Sequence, residues 1–71
     1  MARYGKGDEV SWSWGNGTGT GTVREVHTDR VEVTIKGSDI VRNADEGNPA
    51  YLIEQDDGDR VLKSESELST G

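Results

Sequence analysis

Residues 9–14, Glu-Val-Ser-Trp-Ser-Trp, place a large apolar side chain at every second position. Such alternation is typical of a β-strand with one buried face, and it predicts a first strand over residues 8–14. Residues 31–36, Val-Glu-Val-Thr-Ile-Lys, alternate in the same way and predict another strand. No segment shows the period of a long helix, so the sequence favours an all-β fold.

The stretch from 15 to 22 alternates glycine with asparagine or threonine. Its first part reads as a loop and its second part as the start of a strand over residues 19–27. Within that strand Val26 is out of phase with Val23, which predicts a bulge near residues 24–25.

Two hairpins are the simplest connections between the predicted strands. The first joins the strand at 19–27 to the strand at 31–36. The second joins residues 51–55 to residues 60–63, with Asp57 and Gly58 in the two positive-φ positions of a tight turn.

The remaining segments complete a small domain. Residues 40–42, Ile-Val-Arg, form a short segment, and the polar stretch 43–49 is interpreted as a loop. Ser64 and Glu67 have the spacing of a capping box, which predicts one C-terminal helical turn that buries Leu68. We therefore expect a single SH3-like, Tudor-type barrel of about five antiparallel strands over residues 1–71, with its core at about 4–68.

Composition excludes several classes of function. The 71 residues contain no cysteine, so disulfides and thiol catalysis are excluded. The eight basic residues are scattered among 14 acidic ones, giving a net charge of −6, which argues against a nucleic-acid partner. The short apolar runs predict neither a membrane span nor a secretory signal, and we expect a cytoplasmic monomer.

Three short motifs carry a family resemblance: GDEVSW at 7–12, GTV at 21–23 and YLIE at 51–54. With Glu67-Leu68 near the end, they make the chain resemble the hypervirulence-associated protein Tudor domain family from about Tyr4 onward. The resemblance implies an SH3-like barrel with no established enzymatic activity, and it implies no cofactor.

The candidate ligand-binding residues are the four aromatic ones: Tyr4, Trp12, Trp14 and Tyr51. Aromatic rings at strand ends can surround a methylated ammonium or guanidinium group, because ring faces attract cations. The alternative is that these rings fill the core of a domain that has no phenylalanine, with tryptophan lying over Gly19 and Gly21.

Other candidate sites are weaker. The glycine series at 15–19 is not followed by a helix, which a phosphate-binding loop requires. His27, the one histidine, has only Glu25 and Asp29 nearby, so we expect a surface residue and no metal site. The sequence thus predicts a non-enzymatic module that binds a basic or methylated peptide or protein. The alternatives are a structural or stress-associated protein without a ligand site, and a weak nucleic-acid-associated module.

Overall fold

The computed structural model describes residues 3–70, which form an all-β structure with one short 3₁₀ helix near the C-terminal end. The elements, in chain order, are β1 (Glu9–Trp14), β2 (Gly17–His27), β3 (Val31–Ile35), β4 (Ser38–Arg42), β5 (Ala50–Glu54), β6 (Arg60–Ser64), the 3₁₀ helix (Glu65–Glu67) and β7 (Leu68–Thr70). The all-β class, the antiparallel pairing and the C-terminal helical turn are therefore confirmed. The structure adds two strands, β4 and β7, to the about five strands that the sequence predicts.

The strands lie in two sheets. Five strands form one sheet in the order β6-β5-β2-β1-β7, and β3 pairs with β4 in a second sheet. The long strand β2 pairs with β1 along its first half and with β5 along its second half, so that Thr22 lies opposite both Glu9 and Glu54. The register of β2 shifts between Val23 and Glu25, which confirms the predicted bulge.

The predicted hairpin between β2 and β3 is wrong. The second half of β2 pairs with β5, and β3 pairs with β4 instead. Lys36 and Gly37 connect β3 to β4 with φ angles of 52° and 78°. Positive φ at both central residues is the geometry of a type I′ turn, whose twist matches that of the paired strands. This two-residue turn pairs β3 directly with β4. The connection from β2 to β3 is longer and does not pair those two strands.

The predicted hairpin between β5 and β6 is confirmed, but its turn differs. Gly58 has a φ of 89°, whereas Asp57 is not in the left-handed region. The Gly58 N–H donates to the Gln55 carbonyl (2.9 Å), and the Gln55 N–H donates to the Asp59 carbonyl (2.7 Å). The loop is thus a three-residue connection in which Gly58 takes the one left-handed conformation, and Asp57 does not need a positive φ.

Strand β5 is buried on both faces because its alternate residues enter two apolar clusters. Tyr51 and Ile53 belong to the first, which we call the inner cluster. Ala50 and Leu52 belong to the second, the hairpin cluster, against which the β3–β4 hairpin packs. The buried members of the inner cluster are Tyr4, Val10, Trp12, Val23, Tyr51, Ile53 and Leu68. Those of the hairpin cluster are Val31, Ala50, Leu52 and Leu62.

The C-terminal turn returns the chain to the sheet. The Glu67 carboxylate accepts the Ser64 backbone N–H at 3.0 Å, as the capping spacing predicts. Leu68 follows directly, is buried in the inner cluster and pairs with Trp12 of β1. The helical turn therefore does bury Leu68, and it also starts β7.

Candidate functional site

The structure divides the four predicted ligand-binding aromatics into a buried set and one exposed ring. Tyr4, Trp12 and Tyr51 are 8%, 5% and 0% exposed, whereas Trp14 is 61% exposed. The rings of Tyr4 and Tyr51 meet edge to face, with centroids 5.6 Å apart. Because the chain has no phenylalanine, these rings supply much of the volume of the inner cluster. They do not converge with Trp14 into a cage on the described surface.

A glycine on the neighbouring strand makes room for the ring of Trp12. It lies opposite Gly19, where an added Cβ would come within 2.6 Å of the indole Cε2. The interpretation that tryptophan lies over Gly19 is therefore correct. At Gly21 the space is filled by Ile53 and the Glu54 backbone instead.

Tyr51 uses its hydroxyl to hold the N-terminal segment. The oxygen accepts the backbone N–H groups of Arg3 (3.1 Å) and Tyr4 (3.3 Å) and donates to the Glu65 carboxylate (2.8 Å). Burial raises the pKa of the Tyr51 hydroxyl above its ordinary value. These contacts give Tyr51 a structural role that joins both ends of the described chain.

Trp14 lies at the end of β1, opposite Gly17 of β2. An added Cβ at Gly17 would lie 3.4 Å from the indole, which is ordinary contact distance, so the ring rests on the glycine backbone. The ring also borders an open groove of about 320 Å³, which we call the tryptophan groove. Its walls include Trp14, Thr18, Thr20, Gln55, Asp56 and Asp57.

The tryptophan groove carries negative charge beside an aromatic face. Asp56 and Asp57 are both exposed, and Asp56 forms no ion pair or side-chain hydrogen bond with a described residue. The Asp57 carboxylate accepts the Asp59 backbone N–H at 2.9 Å. Its charge also contributes to raising the pKa of the Lys36 ammonium, so Asp56 is the less compensated of the two carboxylates. An exposed indole beside two carboxylates suits a cationic side chain, because both features attract positive charge.

From the sequence, Asp56 and Asp57 are most simply solvated turn residues, with contact to a basic partner as the alternative, and their position beside Trp14 was not predicted. Pairing of Thr22 with Glu54 sets the loop after β5 beside the first half of β2. The two aspartates reach Trp14 through that pairing, about 40 residues along the chain from it. The only sequence signal was a cluster of acidic residues in a tight loop.

A different groove, of about 260 Å³, lies between the β3–β4 and β5–β6 turns. Lys36 donates to the Asp59 carboxylate across it at 2.8 Å, and this hydrogen bond raises the pKa of the Lys36 ammonium. The ion pair neutralises Lys36 and Asp59 and leaves Arg60, which also lines this groove, without an ion-pair partner among residues 3–70. Unlike the tryptophan groove, this groove therefore offers no unpaired carboxylate to a cationic ligand.

The described residues hold no group of three or more His, Asp or Glu side chains placed to bind a metal ion. His27 contacts the Glu25 carboxylate through Nε2 at 2.9 Å. Within residues 3–70, none of the helices has the length and apolar character needed to cross a membrane.

Comparison with known proteins gives one match. The family model described as hypervirulence associated proteins TUDOR domain matches residues 7–68, nearly the whole chain. Searches among curated proteins and among solved structures found no match. The matched range includes every strand from β1 to β6 and the first residue of β7.

Proposed function

Since the chain belongs to the hypervirulence-associated protein TUDOR domain family, we propose that it is a non-enzymatic binding module for a positively charged peptide or protein segment. The cationic side chain of that segment rests on the exposed face of Trp14, beside Asp56 and Asp57. The observation that carries this proposal is the 61% exposure of Trp14 within an acidic groove. The open face of this indole beside two exposed carboxylates is a favourable site for a cation, which supports a role in contact with a partner.

In this proposal, Trp14 is the only one of the four candidate aromatic residues that contacts the ligand. Tyr4, Trp12 and Tyr51 keep β1 and β5 in place through the inner cluster, and their ring faces are already covered by neighbours. One exposed cation–π contact contributes about 0.5–1 kcal/mol, which is about a two- to five-fold gain in affinity. We therefore expect a short peptide to bind weakly, with a Kd no lower than the order of 1 mM.

Methylation of the ligand strengthens this contact in the proposed arrangement. A trimethylated ammonium keeps its charge but is less strongly hydrated than an unmethylated one. It therefore loses less solvation when it stacks on an indole, and quaternary ammonium groups are common partners of aromatic rings. The preferred ligand is accordingly a methylated lysine or arginine rather than an unmethylated one.

The test is a ¹⁵N–¹H correlation spectrum recorded with capped peptides that carry lysine, trimethyl-lysine, arginine, dimethyl-arginine or glutamine at one position. We expect the indole N–H of Trp14 to shift with the cationic peptides, most with the methylated ones, and the buried indole of Trp12 to stay in place. Trp14→Ala removes the response of the neighbouring amides. Val41→Ala, at the other exposed large hydrophobic residue among residues 3–70 (41%), is the matched control and leaves the response intact.

Three results would contradict the proposal. Shifts that are equal for the glutamine and the cationic peptides would show that charge is not recognised. A well-dispersed spectrum that ignores every peptide would favour a structural protein without a ligand site. Retention on DNA that falls steeply with salt would instead support the nucleic-acid alternative.

A further inference from the structure

We propose that the preferred ligand is a dipolar segment, whose cationic residue occupies the tryptophan groove and whose acidic residue, about four positions away, contacts Lys6 and Arg60. This inference rests on the proposed function and specifies its ligand further. The observation behind it is a second groove, opposite in charge to the tryptophan groove, on the same side of the β5–β6 loop region. The proposed function does not need this second groove.

The two charged grooves are joined by a third that shares residues with both. This middle groove, of about 290 Å³, shares Gln55 and Asp56 with the tryptophan groove. It shares Arg24 and Glu54 with a groove of about 340 Å³, which we call the basic groove. The basic groove is lined by Lys6, Arg24, Glu25, Leu52, Glu54 and Arg60. A bound segment can therefore run from one charged groove to the other along the protein surface.

The carboxylates of the basic groove already have partners. Glu54 accepts the Arg24 Nε–H at 2.7 Å, and Glu25 contacts His27 at 2.9 Å. In contrast, Lys6 and Arg60 are exposed and form no ion pair with any of residues 3–70.

Three of the chain's eight basic residues thus line one groove of a protein with a net charge of −6. With two glutamates in the same lining, the basic groove has three positive charges against two negative ones, and this surplus of one positive charge suits a carboxylate. The tryptophan groove has the reverse, with Asp56 unpaired. Charge complementarity across both grooves selects a ligand with one charge of each sign.

The spacing of the two ligand charges follows from β2, which passes both grooves. Thr20 lines the tryptophan groove, and Arg24 lines the basic groove four residues later in the strand. At about 3.3 Å per residue this separation is at most about 13 Å, because the strand is bulged between Val23 and Glu25. An extended peptide covers that distance in about four residues. Alternate side chains of an extended peptide point the same way, so charges four positions apart both face the protein.

The experiment compares capped serine peptides by chemical-shift titration of the full chain. One peptide pairs lysine with glutamate about four positions apart, in both orders. Its partners replace glutamate by glutamine or lysine by glutamine. We expect the dipolar peptide, in one of the two orders, to bind about five-fold tighter than the lysine–glutamine peptide, since an exposed charge pair contributes little more than that.

Variants locate the effect. Lys6→Gln combined with Arg60→Gln lowers the five-fold preference to about one while the shift of the Trp14 indole by the lysine–glutamine peptide persists. Arg30→Gln, which removes an exposed positive charge outside these grooves, is the control and keeps the preference.

The outcomes separate this inference from the proposed function. If the lysine–glutamine peptide shifts Trp14 but glutamate adds less than about two-fold in either order, the dipolar ligand is refuted and the proposed function stands. If no lysine peptide shifts Trp14, both fail. Inorganic phosphate that shifts the amides of Lys6 and Arg60, without any peptide preference, would identify a free-anion site and refute the dipolar ligand.

Discussion

Substituting Gly19 with alanine tests the packing of Trp12, on which the inner cluster depends. The new Cβ would lie 2.6 to 2.7 Å from three indole atoms of a residue that is only 5% exposed. Since the ring has no free space to move into, we expect an overpacking cost of about 1–3 kcal/mol. Alanine recovers about 0.5–1 kcal/mol because glycine loses more backbone freedom on folding. The net effect is a destabilisation of about 1–2 kcal/mol.

Thermal and urea unfolding, followed by tryptophan fluorescence, measure this loss. For a domain of this size each kcal/mol lowers Tm by about 4–8 °C, so Gly19→Ala should melt about 5–15 °C below wild type. Gly17→Ala is the matched control, because its Cβ would meet only the exposed ring of Trp14 at 3.4 Å. We expect that variant to lie within about 0.5 kcal/mol of wild type. Equal stabilities of the two variants would refute the close packing of Trp12 on Gly19.

Two further substitutions test the hydrogen bonds and the turn. Tyr51→Phe should cost about 1–2 kcal/mol in urea unfolding, because the Tyr4 N–H loses its buried acceptor and Glu65 loses a donor. Burial raises the pKa of Tyr51 in the folded state, so the stability that depends on its neutral hydroxyl is complete below pH 10 and is lost as the pH rises through the folded-state pKa. The difference in unfolding free energy between wild type and Tyr51→Phe should therefore narrow over that pH range. A difference that stays constant would contradict the burial of the hydroxyl. Gly58→Ala, at a φ of 89°, should cost about 1 kcal/mol, and an unchanged unfolding midpoint would contradict the left-handed turn.

The strands were predictable where one face is buried. Alternation located β1 and β3 to within one or two residues, and the phase change between Val23 and Val26 located the bulge in β2. Strand pairing was harder to predict, because β2 has two edges and no local sequence signal indicates which strands pair with them. The Lys36-Gly37 turn contained the missing signal, but lysine in the left-handed region is uncommon and gave no reason to expect a two-residue hairpin there.

The two-sided burial of β5 was also beyond the sequence argument. Its residues Ala-Tyr-Leu-Ile form a continuous apolar run, which is consistent with a strand buried on both faces but does not show what covers each face. The covering elements come from distant parts of the chain: β1, β2 and β7 on one face and the β3–β4 hairpin on the other. Only the complete topology shows which elements cover each face of β5.

The same limit explains why the sequence could not separate Trp12 from Trp14. Both have the same strand phase, and both lie opposite a glycine of β2. On the other edge of β1, however, β7 pairs with Val10, Ser11 and Trp12 and with no later residue of the strand. Trp12 is therefore enclosed from both sides and by Leu68, whereas Trp14 extends past β7 toward the loop after β5. Two residues along one strand separate a core ring from the exposed ring of the tryptophan groove, and where β7 ends decides which ring is buried.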